Sequence, residues 1–326
     1  MSRAEQYLSK ENTSCLKGYF ALCVLAHHLY QYSGIGRGTI TGMCFQMMGY
    51  LSVAVFFFFT GYGLMVSANK QNYIAQFPKK RILPFYLFYV LLIIIYGVYR
   101  FLLTKQLPIQ HIVQSFLWGE TIVPLGWYLQ TTTIIYVLYW MVWRTVKLNT
   151  HRFIAFGVLL CTYCFMCRLL DMPSTWYESV FTVFAGMLWA NNKEDIDVRL
   201  SDRPVSWIAV IAVLFIGSVL LQKVSYIAIG AKMISAVAFV CLVMMISYCL
   251  ANSQLINNAA ARWLGKFSFG IYVSQGFFLL IQRSNPEFFN SSLIFILVST
   301  LGTLVIGMIM QKTYMFINAK VNSKVM

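Results

Sequence analysis

Leu16-Lys17-Gly18-Tyr19-Phe20-Ala21-Leu22-Cys23-Val24-Leu25-Ala26-His27-His28-Leu29-Tyr30-Gln31-Tyr32-Ser33 is eighteen residues long, apolar for most of its length, and carries one cation at its start and two imidazoles past its middle. A run of this length and composition is a candidate membrane-crossing helix, because about 20 apolar residues at 1.5 Å each cover roughly 30 Å of hydrocarbon. Ionisable groups inside such a helix are costly and mark functional positions. Lys17 and His28 are eleven positions apart, close to three whole turns, so both leave nearly the same face about 16 Å from one another. One face thus presents a cation near the membrane surface and a titratable base about half a bilayer deeper. His27 lies about 100° around the helix from that face.

The rest of the chain agrees with a membrane origin for this segment. Of 326 residues, 59% are hydrophobic and only 11% charged, where soluble domains carry about 25% charge. Ten apolar stretches are long enough, or nearly so, to cross: 16–33, 44–67, 82–103, 126–143, 153–170, 175–190, 205–222, 232–250, 266–283 and 291–311. The expected fold is therefore an all-α polytopic transmembrane bundle of about ten spans, forming one integral-membrane domain over residues 1–326. With both termini cytoplasmic, 17 of the Lys and Arg side chains fall inside, Lys324 among them, against seven outside (Arg37, Arg100, Lys105, Arg168, Lys223, Lys232, Arg283). This bias sets the orientation and accounts for the net charge of +15 without nucleic acid, for which no binding motif is present. The first span is not read as a cleaved signal peptide, since no small-residue cleavage site follows it. Segment 107–125, broken by Pro108, Gly119 and Pro124, is expected as an outer-face interfacial or re-entrant helix.

Several motifs carry chemistry and each has a plainer alternative. A neutral imidazole accepts a proton, which is what a general base must do, and the in-phase Lys17 favours that role for His28 over a stray buried pair. Phe56 to Gly63 ends the second apolar run; Thr60, Gly61 and Gly63 either let a ligand or backbone approach closely or simply end a helix. Lys79-Lys80-Arg81 opens the third run as a stop-transfer cluster that also suits a phosphate, bidentate at Arg81. Cys161, Cys164 and Cys167 share part of an iron–sulfur spacing, but Asp171 stands where a fourth ligand would fall, so they are read as small packing residues and no metal is expected. Glu120, Asp171 and Glu178 are the outer-side carboxylates, offered to an acceptor or to solvent.

Taken together, these residues resemble membrane-bound acyltransferase family 3, the bacterial integral-membrane acyltransferases that modify cell-surface glycans and related acceptors. Leu16-Lys17-Gly18 with the run to His28 looks like the family's first-helix motif. Phe56 to Gly63 is similar to its Phe-Phe-x-x-Ser-Gly-Phe stretch, with Thr60 in the Ser place. Arg81-Ile82-Leu83-Pro84-Phe85-Tyr86 looks like its Arg-Ile-x-Pro-x-Tyr element. Gly126-Trp127-Tyr128-Leu129 and Lys266 to Gln275 resemble two later segments. Pro78 departs from the family pattern, so phosphate binding leans on Arg81 with Lys79 or Lys80; Thr132 with Thr133, and Gln275, depart from it as well and bear on the acceptor and the outer site.

The resemblance implies an acyl-CoA donor, acetyl-CoA by default, entering from the cytoplasm. Lys17, Lys79, Lys80 and Arg81 would hold its phosphates, and His28 would act as general base or acyl relay. It also implies that Thr60, Trp127, Tyr272, Gln275 and Glu120 bind substrate, that the acceptor is a cell-surface carbohydrate or lipid-linked glycan, and that the protein is a multi-pass protein of the bacterial inner membrane in contact with membrane lipids. No extra soluble domain of the kind some members carry is expected within these residues. A proton-coupled transporter using His28 as a relay is the competing function, though matching halves with interrupted helices are not evident. A scaffold with degenerate catalytic residues is the third.

Overall fold

The structure is a computed structural model and describes residues 2–323. All regular structure among them is helical: α1 Arg3–Gln6, α2 Lys10–Ser33, α3 Ile40–Ala68, α4 Tyr73–Phe77, α5 Leu83–Thr104, α6 Ile109–Phe116, α7 Trp127–Thr145, α8 Asn149–Leu169, α9 Phe181–Asn191, α10 Lys193–Asp202, α11 Pro204–Leu221, α12 Ala228–Cys249, α13 Ala259–Lys266, α14 Ser268–Ser284 and α15 Ser292–Ser323. A π-helical turn, Pro78–Ile82, joins α4 to α5.

Each helix follows from local chemistry. The key helix α2 begins where the Ser9 hydroxyl accepts a bond from the Asn12 amide (3.2 Å), an N-cap that satisfies an otherwise orphaned donor. It ends at Gly34, whose φ of 71° is left-handed and whose amide bonds back to Tyr30 O at 3.1 Å; glycine is the residue that takes this conformation without strain. Pro84 in the first turn of α5 is placed where its missing N–H costs nothing.

Among the described residues, six helical segments are long and apolar enough to cross a membrane, and α13 with α14 form a bent pair that makes a seventh. Nine of the ten expected stretches coincide with a long helix, although α2 and α7 are less apolar than those six because Lys17 and the histidines in α2, and Gln130 with the run of threonines in α7, lower their hydropathy. Stretch 175–190 is different. It opens with a 3-10 turn at Ser174–Trp176 and yields only the 11-residue α9, which at 1.5 Å per residue covers about 16 Å. Pro173 and the Ser174–Glu178 side-chain bond (2.8 Å) hold its first residues in the turn. Ten spans and cytoplasmic termini rest on the sequence, and Lys324 of that charge tally lies outside the described residues. Segment 107–125 contains one short helix, α6, with Ile109, Val113 and Phe116 exposed along one face.

The chain divides into two compact units interleaved in sequence. The first holds the residues up to Val24, Met47–Lys70 and Tyr163–Ser268. Its core gathers Leu16, Ala54, Phe58, Trp189, Val240 and Tyr248. There α3 and α9 cross so closely that a Cβ on Gly61 would strike Val183 O and one on Gly186 would strike Phe58 O. Small residues at such crossings let backbones touch where lipid supplies no hydrophobic drive. α11 packs on α12 through Phe215 and Phe239 and leaves Val205, Val210, Val213 and Leu220 exposed along its other side.

The second unit holds Leu25–Gln46, Gln71–Thr162 and the residues from Phe269 onward. Leu25, Leu29, Leu279, Phe289 and Phe295 form one core cluster, and Phe85, Phe88 and Phe269 pack edge and face around Tyr314. α14 and α15 cross at Gly270 and Gly307, where any Cβ on Gly270 would meet Gly307 O, and Ser274 Oγ donates to Thr303 O at 3.0 Å one turn on.

Candidate active site

His28 emerges from α2 into a dry interior, 9% exposed, and its Nδ1 lies 2.7 Å from Gln275 Oε1 on α14. A carbonyl oxygen only accepts, so Nδ1 carries the proton and the ring's lone pair sits on Nε2. Gln275 is itself 1% exposed, and its Nε2 has no hydrogen-bond partner among the described residues. Neighbouring bonds hold this stretch of α14 in place. Tyr272 OH donates to Leu125 O (2.9 Å), Tyr96 OH to Val273 O (2.6 Å), and Ser274 Oγ to Thr303 O. Gln275 therefore reaches His28 from a helix that is fixed on three sides.

His27 is as buried as His28, at 8%, with its Nδ1 2.8 Å from Phe45 O and its ring 5.0 Å from that of His28. Burial does not separate the two imidazoles. Their partners do: His27 is tied to a backbone carbonyl, whereas His28 is tied to a side chain that still has a donor to offer.

Arg81 sits at the end of the π-turn that carries Lys79 and Lys80. A π-turn inserts one residue into a helix and commonly marks a functional position. All three cations keep exposed surface. The Arg81 guanidinium donates a hydrogen bond to the Tyr73 hydroxyl and lies near the hydroxyls of Tyr136 and Tyr314. These tyrosines come from α4, α7 and α15, and their spacing in sequence gives no sign of convergence. With a planar guanidinium, two flanking lysines and several hydroxyls, the place is chemically suited to a phosphate.

The other residues singled out in the sequence are distributed as follows. Tyr272 stacks obliquely on Tyr128 at 5.0 Å, and Trp127 meets Tyr128 edge-on at 6.0 Å, so these belong to the neighbourhood of α14. Glu120 is largely exposed and its carboxylate lies 3.7 Å from His111 Nε2, with Arg100 on the other side of that imidazole at 3.5 Å. Thr60 belongs to the first unit, and its hydroxyl is spent on Phe56 O at 3.0 Å in its own helix. Lys17 is in the same unit, its ammonium 5.4 Å from the Phe59 ring centroid. Gly61 meets a backbone, as described, while space is open around Gly63. Asp171 takes a left-handed φ of 50° at the turn after α8, and Glu178 is buried in an ion pair with Lys232 at 3.1 Å.

A multi-pass, all-helical membrane protein with a paired buried imidazole and a cationic turn defines the class. An acyltransferase-domain family matches residues 13–312, nearly the whole chain and parts of both units, and the chain belongs to that family. It is a membrane acyltransferase. No curated protein and no solved structure matches it.

Proposed function

We propose that the protein transfers an acyl group, acetyl in the first instance, from acyl-CoA to a hydroxyl of a cell-surface carbohydrate or lipid-linked glycan at the bacterial inner membrane. The observation that carries this reading is the His28–Gln275 pair, which turns a buried imidazole into a base with its lone pair on Nε2. In the reaction, Nε2 takes the proton of the acceptor hydroxyl as its oxygen bonds to the thioester carbonyl carbon. Collapse of the tetrahedral species breaks the C–S bond, and the proton passes to the leaving thiolate. The low exposure of both residues keeps water from competing with the acceptor. Arg81, with Lys79 and Lys80, is assigned the donor's phosphates. Lys17 shares α2 with His28, and its role rests on the helical phase alone.

The test is transfer of radiolabel from acetyl-CoA into the glycan fraction of membranes containing the full chain. His28→Ala is expected to reduce turnover about 10²- to 10⁴-fold, the range for loss of a general base. Wild-type rates in that variant would end this mechanism.

A further inference from the structure

Buried polar atoms are almost always paired, so those left single call for an account. In the second unit, Gln275 Nε2 is one and Thr132 Oγ1 is another, on a residue only 2% exposed. Thr132 shares this state with Thr303 on α15 and differs in it from other threonines of the membrane helices. Thr133 on the same helix donates to Leu129 O (2.8 Å), and Thr145, Thr162, Thr300 and Thr313 likewise bond back to the carbonyl four residues earlier. The hydroxyl of Thr132 is not spent in that way.

Its position on α7 supplies the account. Tyr128, Thr132 and Tyr136 recur every four residues, so they share one face and extend about 12 Å along the helix. At one end Tyr128 rests on Tyr272, which is one turn before Gln275 on α14. At the other end Tyr136 stands beside Arg81, with Tyr73 and Tyr314. A line of hydroxyls therefore runs from beside the phosphate-suited guanidinium toward the orphaned amide next to His28. The walls around it are Phe77 and Phe85, whose rings lie 5.7 and 5.8 Å from that of Tyr136.

We infer that the Tyr128–Thr132–Tyr136 face of α7 is the binding line for the amide-bearing arm of a thioester donor, with Thr132 Oγ1 bonding one amide of that arm. The inference rests on the acyl-CoA reading above. An acyl donor whose arm is hydrocarbon would have no use for hydroxyls at this spacing, and burying them would be pure cost. An arm with amides needs hydrogen-bond partners once it leaves water, and the unpartnered Thr132 hydroxyl provides one.

The experiment is calorimetric titration of the purified full chain in detergent with coenzyme A and, separately, with adenosine 3′,5′-bisphosphate, which lacks the arm. It is run on wild type, Thr132→Val and Thr132→Ser, with the melting temperature of each ligand-free protein measured alongside. Thr132→Val is expected to weaken coenzyme A binding about three- to tenfold, as loss of one hydrogen bond should, and to leave the bisphosphate unaffected. Thr132→Ser keeps the hydroxyl and with it the proposed hydrogen bond, and is expected to bind coenzyme A within about twofold of wild type. Because the hydroxyl has no protein partner, the ligand-free valine variant should melt at the same temperature or higher. Unchanged coenzyme A binding in Thr132→Val, an equal loss for both ligands, or a lower melting temperature would each overturn the inference while leaving the acyl-CoA reading intact. A folded wild type that binds no coenzyme A would remove that reading, and the inference with it.

Discussion

Replacing Gln275 by Leu tests the site where its geometry is sharpest. The substitution keeps volume and removes the oxygen that receives His28 Nδ1–H at 2.7 Å. Leaving that N–H buried and single costs about 1–3 kcal/mol, but the same change deletes Nε2, a donor that is already single and carries a similar penalty. The two nearly cancel, so stability should move by less than about 1 kcal/mol, a few degrees at most in melting temperature. Turnover does not share this cancellation. The bond that keeps the proton on Nδ1 is worth about 0.5–1.5 kcal/mol, so its loss lets the other tautomer compete and takes a factor of about three to ten. A ring no longer aimed by its partner loses more, since small misplacements cost up to about 10²-fold. The combined expectation is a 10- to 100-fold slower transfer of label from acetyl-CoA to membrane glycan, at wild-type abundance and thermal stability. ¹⁵N spectra of the His28 ring, taken in a His27→Gln background, should show a single Nδ1–H tautomer that becomes mixed when Gln275 is Leu. Wild-type turnover, or a fall in melting temperature that tracks the fall in rate, would refute the reasoning by showing that Gln275 serves packing instead.

Three further outcomes follow from the same structure. Arg81→Ala should abolish most coenzyme A binding while Arg81→Lys restores only part of it, because a point charge cannot reproduce bidentate contact; full rescue by Lys, read by calorimetry, would contradict the assignment. Gly270→Leu should destabilise the protein by about 1–3 kcal/mol or prevent accumulation, since its first side-chain atom collides with the backbone at Gly307; normal yield and melting temperature would show that α14 and α15 can part. Gln130→Leu removes the side chain whose Nε2 bonds Tyr89 OH, Gln114 O and Ser115 O, each at 3.1 Å, so segment 107–125 should become sensitive to protease at an intact melting temperature for the remainder.

Much of the candidate site is visible in the chain because its cues are local. A long apolar run broken by imidazoles announces itself, and so does a cluster of three cations before Pro84. The roles of His28 and Arg81 could be framed from charge, phase and hydropathy, and the family resemblance rested on the same short stretches. Gln275 enters as a substrate contact only through that resemblance; nothing near it in sequence says that its oxygen meets an imidazole 247 residues away. In sequence Thr132 is only a departure from the family pattern, and the spacing of Tyr128, Thr132 and Tyr136 carries no signal of its own, because a tyrosine stripe on a membrane helix is ordinarily interfacial filler.

Composition, run length and Lys/Arg bias were enough to establish a helical, many-spanning membrane protein, because hydropathy and helical period act within a few neighbouring residues. Only the tertiary structure decided that 175–190 shortens to the 11-residue α9, that tyrosines from α4, α7 and α15 converge on Arg81, and that one amide of α14 both orients His28 and keeps a donor in reserve. Those outcomes depend on which faces of distant helices come within hydrogen-bond reach, and that is set by close crossings such as Gly270 on Gly307, whose partners share no local signal in the chain.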